Sequence, residues 1–259
     1  MLLAFVQGIT EFLPISSSGH LILASRVLQL PDQGLAIDVA VHVGTLFAVI
    51  FYFWRDIFDL AIGALRLIYG RRDLRSLLIV RLVLATVPVI VAGLFVGCYF
   101  PQGIRSIEII AWTTIVFAIV LWISDKSGMT VHRVEHLSKS NALFIGFLQV
   151  LALIPGTSRS GITMTAGRML GMERTEAARF SMLLSIPTIA GAGILNGTSL
   201  YQTGDNALQL SAIIAVSLSF VTGLISITLM MRWLKKSSFT PFIIYRIALG
   251  IGLLAWTYI

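Results

Sequence analysis

The sequence predicts an all-α, polytopic integral membrane protein, with six transmembrane helices and two re-entrant helical hairpins arranged as an inverted repeat. Three observations carry that expectation. Of the 259 residues, 57% are apolar and 12% charged, against about 45–50% and 25% in a soluble domain. Six apolar windows are long enough to cross a bilayer, which takes about 20 residues per helix. Two further apolar stretches are too short, and each is broken by Pro with Ser and Gly around it. The loops leave no room for a sizeable soluble domain, so residues 1–259 are read as a single membrane domain.

The chain opens on the first hairpin, residues 1–13 and 15–28 around Pro14-Ile-Ser-Ser-Ser-Gly19. Met1 to Leu13 has no basic leader and no Ala-x-Ala-like site, and it contains Glu11, so it reads as mature structure rather than a signal peptide. Apolar windows follow at 36–54, 77–100 and 107–124. The second hairpin is 141–154 and 160–171 around Pro155-Gly-Thr-Ser-Arg-Ser-Gly161, and windows at 176–197, 208–231 and 241–259 complete the chain. Backbone released from helix inside a bilayer is tolerated only where protein or a wet cavity satisfies it, which is why the broken segments read as re-entrant. Residues 55–75 alternate apolar and charged positions at helical spacing, which predicts a helix lying on the membrane surface.

The hairpins look like copies of each other. At an offset of 142, Phe5, Gln7, Ser16, Ser18, Gly19, Ala24, Arg26 and Leu28 match Phe147, Gln149, Ser158, Ser160, Gly161, Ala166, Arg168 and Leu170. Three windows separate the copies, and an odd number of crossings inverts the second, giving halves of approximately 1–124 and 141–259. Hairpins entering from opposite faces then meet near the midplane.

The net charge of +7 is read as loop charge setting orientation rather than as affinity for nucleic acid. Arg55, Arg66, Arg71, Arg72, Arg75, Lys126, Arg133, Lys139, Arg174, Arg232, Lys235 and Lys236 fall in loops on one side, and the other side offers Arg26 and Arg105. The positive-inside rule puts the first group in the cytoplasm, with both termini and the mouth of the first hairpin outside. Arg81, Arg179 and Arg246 lie near cytoplasmic helix ends and are expected to snorkel. His42 is expected to pack or to hydrogen-bond between helices. The single cysteine, Cys98, excludes a disulfide framework and is expected to pack in its apolar run.

Charge inside the apolar segments points to function. Gln7 and Glu11 are four apart, so a helix sets both on one face. Glu11 needs a cation, a metal or a proton relay to be tolerated there. Ser16, Ser17, Ser18 and His20 follow on a loop that begins a new helix, where hydroxyls, free N–H groups and a helix N-terminus suit an oxyanion such as phosphate. His20 adds a proton-transfer group. In the second hairpin Arg159 stands among Thr157, Ser158, Ser160 and Thr163, and its planar fork suits bidentate phosphate or a pair with Glu11. These features describe an anion handled in a membrane and leave binding, transport and hydrolysis open.

Gln7-Gly-Ile-Thr-Glu11-Phe-Leu-Pro-Ile-Ser-Ser-Ser-Gly-His20 and Pro155-Gly-Thr-Ser-Arg-Ser-Gly-Ile-Thr163, with lesser echoes at Phe53-Trp54-Arg55 and Pro241-Phe-Ile-Ile-Tyr-Arg246, resemble the signatures of the bacterial undecaprenyl-pyrophosphate phosphatases of the bacitracin-resistance type. The resemblance covers nearly the whole chain. It implies an enzyme of the bacterial cytoplasmic membrane that removes the terminal phosphate of a C55 polyprenyl pyrophosphate, recycling the carrier lipid for peptidoglycan synthesis, and that depends on a divalent cation, Mg²⁺ or Ca²⁺. Carried over, Glu11 is the acidic residue and metal contact, Ser17 a candidate nucleophile, and His20 its proton-transfer partner. Arg159 with Ser158, Ser160 and Thr163 forms the phosphate clamp, with Gln7, Ser16 and Ser18 also at the substrate. Gln7 is an amide and supplies no acid or base. Ser17, His20 and water all remain open as nucleophile, a homodimer is left open, and the alternative is a secondary transporter or lipid flippase using the same repeat.

The orientation is checked by cysteine accessibility in sealed cells. Gln33→Cys should label from outside and Ser140→Cys only after permeabilisation, and the reverse pattern would overturn it.

Overall fold

Each break that the sequence predicts ends a helix. The structure, a computed structural model, describes residues 1–27, 34–71, 73–99, 106–127, 132–197 and 206–258; side chains at 18, 25–27, 34–36, 192–197 and 206–208 are outside that description. The first hairpin is α1 (Leu2–Thr10) and α2 (Ser17–Val27). Then come α3 (Gly34–Tyr52), α4 (Trp54–Ile68), α5 (Leu74–Tyr99) and α6 (Ile107–Ser127). A 3₁₀ turn at Val134–His136 leads to the second hairpin, α7 (Lys139–Val150) with a 3₁₀ turn at Leu151–Leu153, and α8 (Arg159–Met169). The remaining helices are α9 (Arg174–Gly197), α10 (Asn206–Leu234) and α11 (Thr240–Tyr258). No β-strand forms among the described residues.

All six predicted windows fall on helices. Over the described residues α5, α6, α10 and α11 are long and apolar enough to cross a membrane, and the described part of α3 counts with α4 as a bent pair. Helix α9 differs from the outer helices in its packing. No residue from Arg174 through Gly191 is exposed, because α9 packs against α3, α5, α8 and α10 at the centre of the molecule. A helix shielded from lipid by other helices can carry Arg174, Glu176, Arg179, Ser181 and Ser185 without desolvating them in hydrocarbon. The outer helices instead turn large side chains outward, among them Phe95, Trp112, Trp122, Ile213 and Leu229.

Helix α4 leaves α3 at 85° after buried Phe53 and covers residues 55–68 of the stretch expected to lie on the surface, whose last residues begin α5. Trp54, Phe58, Leu65 and Ile68 on it are exposed. Its polar side is tied inward: Asp56 accepts from Arg179 Nε at 2.9 Å, and Asp59 pairs with Arg75 at 2.9 Å. Arg179 therefore joins two helices rather than snorkelling. Arg81 is buried as well, donating to the carbonyls of Val134 and Glu135 at 3.3 and 3.2 Å. Deeper still, Asp125 holds both Arg168 (3.0 Å) and Arg174 (2.8 Å). Cys98, expected to pack, is exposed near the end of α5, and Gln33 lies outside the described residues.

The first helix of each hairpin packs on a helix distant in sequence. Helix α1 packs on α10, whereas α7 packs on α5, and α6 lies along α11. Both crossings depend on a missing side chain. A Cβ on Gly8 would sit 2.9 Å from the Ser219 carbonyl oxygen, and one on Gly146 would sit 2.6 Å from that of Ala85. Gly146→Ala should therefore lower the melting temperature in detergent. Its helix-propensity gain of about 1 kcal/mol is opposed by overpacking of about 1–3 kcal/mol or more. Gly97→Ala, with open space around it, should not lower it; equal behaviour of the two variants would refute the close crossing.

Candidate active site at the hairpin junction

Glu11 ends α1. Its backbone N–H donates to the Gln7 carbonyl at 2.9 Å, so the helical course continues and sets both side chains on one face. The Gln7 amide nitrogen donates to Glu11 Oε2 at 2.9 Å. Since a carboxylate only accepts, this fixes the amide's orientation and turns Gln7 Oε1 away. That oxygen is buried without a partner. Ser17 Oγ donates to the same Oε2 at 2.7 Å. From the other hairpin, Arg159 Nη2 reaches Glu11 Oε1 at 3.0 Å, and its Nη1 donates to the Ser181 carbonyl at 3.1 Å. The pair is nearly sealed, with 7% of the Glu11 side chain and 13% of Arg159 exposed.

The two loops share one backbone solution. Ser16 and Ser158 both have φ 72°, a left-handed conformation that non-glycine residues seldom adopt. Each then caps the helix that follows: Gly19 N–H donates to Ser16 Oγ at 3.3 Å, and Gly161 N–H to Ser158 Oγ at 3.1 Å. The N-termini of α2 and α8 thus begin at the junction, where the helix dipole favours an anion. Gly156, at φ 92°, lets the second loop press on α6, where Thr113 Oγ1 donates to the Pro155 carbonyl at 2.6 Å.

These bonds divide the ten residues singled out in the sequence. Ser17, His20 and Arg159 keep part of their surface open, and Glu11 sits just beneath them. Gln7, Ser16, Ser158, Ser160 and Thr163 are buried. Ser160 Oγ donates across to the Leu13 carbonyl at 2.9 Å, which joins the two hairpins. Thr163 Oγ1 bonds Ser181 Oγ at 2.7 Å and the Arg159 carbonyl at 2.9 Å. Ser158, Ser160 and Thr163 accordingly build the shelf beneath Arg159. The Ser18 side chain lies outside the described residues. Ser17 is bonded to Glu11, not to His20, whose Nδ1 meets the Ser16 carbonyl at 2.6 Å and whose Nε2 meets the Tyr245 hydroxyl at 2.6 Å. His42, expected to pack or to hydrogen-bond between helices, contacts the Asp38 carbonyl of its own helix through Nδ1 at 2.7 Å.

Arg246 is the residue that sequence reasoning misplaced most. It is fully buried rather than snorkelling, and donates to Pro14 O (3.3 Å), Gly156 O (3.0 Å) and Thr157 O (2.9 Å). One side chain from α11 thereby clamps both loops. Its ion-pair partner is no carboxylate among the described residues, so its charge adds to the positive field at the junction. The one signal available was the Pro241 to Arg246 echo, which did not say where the arginine points.

Among the described residues no three His, Cys, Asp or Glu side chains gather as a metal cluster. The carboxylate at hand is Glu11, while Gln7 Oε1 is buried and turned away from it. Glu11 fits a hard cation that takes its remaining ligands from a bound diphosphate and water.

Fold and site together define an all-helical membrane protein whose two hairpin loops bring a carboxylate, hydroxyls, an imidazole and an arginine together. The chain belongs to the bacitracin resistance protein BacA family, whose family model matches residues 1–252. It is 51% identical over 261 residues to the undecaprenyl-diphosphatase of Jannaschia sp. (strain CCS1), across 99% of this chain and 97% of that protein. It is 46% identical over 260 residues to that of Roseobacter denitrificans (strain ATCC 33942 / OCh 114), across 100% and 97%. It is also 46% identical over 266 residues to undecaprenyl-diphosphatase 1 of Rhodospirillum rubrum, across 100% and 94%.

Removing one member of a buried ion pair strands the other at a cost of about 3–5 kcal/mol, whereas neutralising both is often tolerated. Glu11→Gln should therefore lower the melting temperature in detergent, and Glu11→Gln/Arg159→Gln should regain most of the loss. A double variant less stable than the single would contradict the pair's geometry.

Proposed function

We propose that this protein is the undecaprenyl-diphosphatase that its relatives are named for. It hydrolyses undecaprenyl pyrophosphate to undecaprenyl phosphate and inorganic phosphate, recycling the carrier lipid for peptidoglycan synthesis and thereby opposing bacitracin. The observation that carries the reading is Glu11 Oε2 accepting from Ser17 Oγ at 2.7 Å while Oε1 grips Arg159. A base, a hydroxyl and a phosphate-binding cation are thus brought to one point. A carrier or flippase role, the alternative that the sequence leaves open, is not favoured by the relatives' names.

In this reading the terminal phosphate exchanges its oxygens for Glu11 on the Arg159 fork and lies at the N-termini of α2 and α8. Stabilising charge on the transferring phosphoryl group is most of the catalysis. Glu11 takes the Ser17 proton as Ser17 Oγ bonds to the terminal phosphorus, and the bridging P–O bond breaks to release the lipid monophosphate. Water then cleaves the phosphoserine, with His20 as a proton-transfer group. Glu11 would hold the divalent cation, which supplies neutralising charge to the phosphate oxygens when bound. The loop charges support a site reached from the outer face, with both termini outside, and the matched serine caps support the inverted repeat.

Purified protein in detergent should release phosphate from a polyprenyl pyrophosphate, stop with chelator and recover with Mg²⁺ or Ca²⁺. Arg159→Ala and Ser17→Ala should each lose about 100-fold or more in kcat. Glu11→Gln/Arg159→Gln should stay inactive although folded. Full activity in folded Arg159→Ala protein would sink the assignment.

A further inference from the structure

Tyr245 lies outside both signature motifs, yet it makes the contact that decides what His20 can do. The Tyr245 hydroxyl stands 2.6 Å from His20 Nε2, and the two rings are nearly parallel, 11° apart with centroids 5.7 Å apart. On the opposite edge, Nδ1 faces the Ser16 carbonyl oxygen at 2.6 Å. A carbonyl only accepts, so Nδ1 carries the proton. In the neutral ring Nε2 is then the acceptor, and the phenol donates to it. Both nitrogens are pinned, and the tautomer and ring plane follow from their partners.

Tyr245 stands on α11, a helix long and apolar enough to cross a membrane, and its hydroxyl finds its partner in the imidazole. The phenol has a property that a fixed donor or acceptor lacks: it can donate to the neutral ring and, by rotating its O–H, accept from the Nε2–H of the imidazolium. When His20 takes up a proton at Nε2, the same oxygen holds the ring in place, and no bond is lost in either state. Phenylalanine keeps the ring and loses this.

We propose that Tyr245 is a positioning residue for the phosphatase reaction, holding His20 in the Nδ1–H tautomer and keeping Nε2 as its proton-transfer atom. This rests on the reading above, in which His20 moves protons during hydrolysis. It assigns a role to α11, the helix whose next residue, Arg246, clamps the two loops.

The test is phosphate release from a polyprenyl pyrophosphate by His20→Ala, Tyr245→Phe and the double variant. Tyr245→Phe should lower kcat about 10–100-fold, the usual loss when a group orienting a working histidine is removed, with KM within about twofold of wild type and unchanged melting. In the His20→Ala background Tyr245→Phe should add no further loss, because it acts through the imidazole. In ¹⁵N-histidine spectra the His20 Nε2 resonance should move toward that of an unbonded acceptor in Tyr245→Phe while Nδ1 stays protonated. Unchanged kcat in His20→Ala would overturn both the role of His20 and this proposal. If His20→Ala is impaired, then wild-type kcat in Tyr245→Phe, a loss confined to KM, an additive loss in the double variant or an unmoved Nε2 resonance would each overturn the proposal alone.

Discussion

A carboxylate or guanidinium taken out of water costs several kcal/mol unless it meets a partner of good geometry. Glu11 and Arg159, 148 residues apart, meet at 3.0 Å between two broken helices. Much of the surrounding architecture serves that meeting. Gly8 and Gly146 let α1 and α7 sink onto α10 and α5. Ser160 ties one loop to the carbonyl of the other, and Arg246 ties both to α11. Helix α9 brings the Ser181 carbonyl to the second Arg159 nitrogen, and it remains polar because other helices screen it from lipid.

The matched loops reach the same backbone with different chemistry. Ser16 and Ser158 turn at the same φ and cap in the same way. At the offset of 142, however, Glu11 stands opposite Leu153, Ser17 opposite Arg159 and His20 opposite Ile162. One hairpin supplies the carboxylate, hydroxyl and imidazole, and the other supplies the cation. Each alone would strand a charge in an apolar setting, so the stability of the junction and its competence toward an anion share one cause.

Much of this was legible in the chain. Helix-forming windows and the breaks at Pro14 and Pro155 follow from local composition and periodicity, and the described helices keep to them. Glu11, Ser17, His20 and Arg159 were conspicuous because charge and hydroxyls are rare in such segments. Packing was less legible, since α9 reads as an apolar window like the others and is screened by other helices from Arg174 to Gly191. The hydroxyls of Ser158, Ser160 and Thr163 stood out in the sequence, but their bonds to N–H groups and carbonyls were not legible there.

Arginines mark the boundary between the two kinds of information. Arg81, Arg179 and Arg246 each sit near a helix end, where a long side chain ordinarily reaches for water, and nothing within a few residues distinguishes them. Their partners are Val134, Asp56 and Pro14, distant by 53, 123 and 232 residues. Tyr245 is the same case, 225 residues from His20. Local sequence dictates helices and breaks because propensity and proline act over a few residues. It leaves open which polar group each buried donor meets, because that is decided when distant helices pack and every buried N–H must find an acceptor.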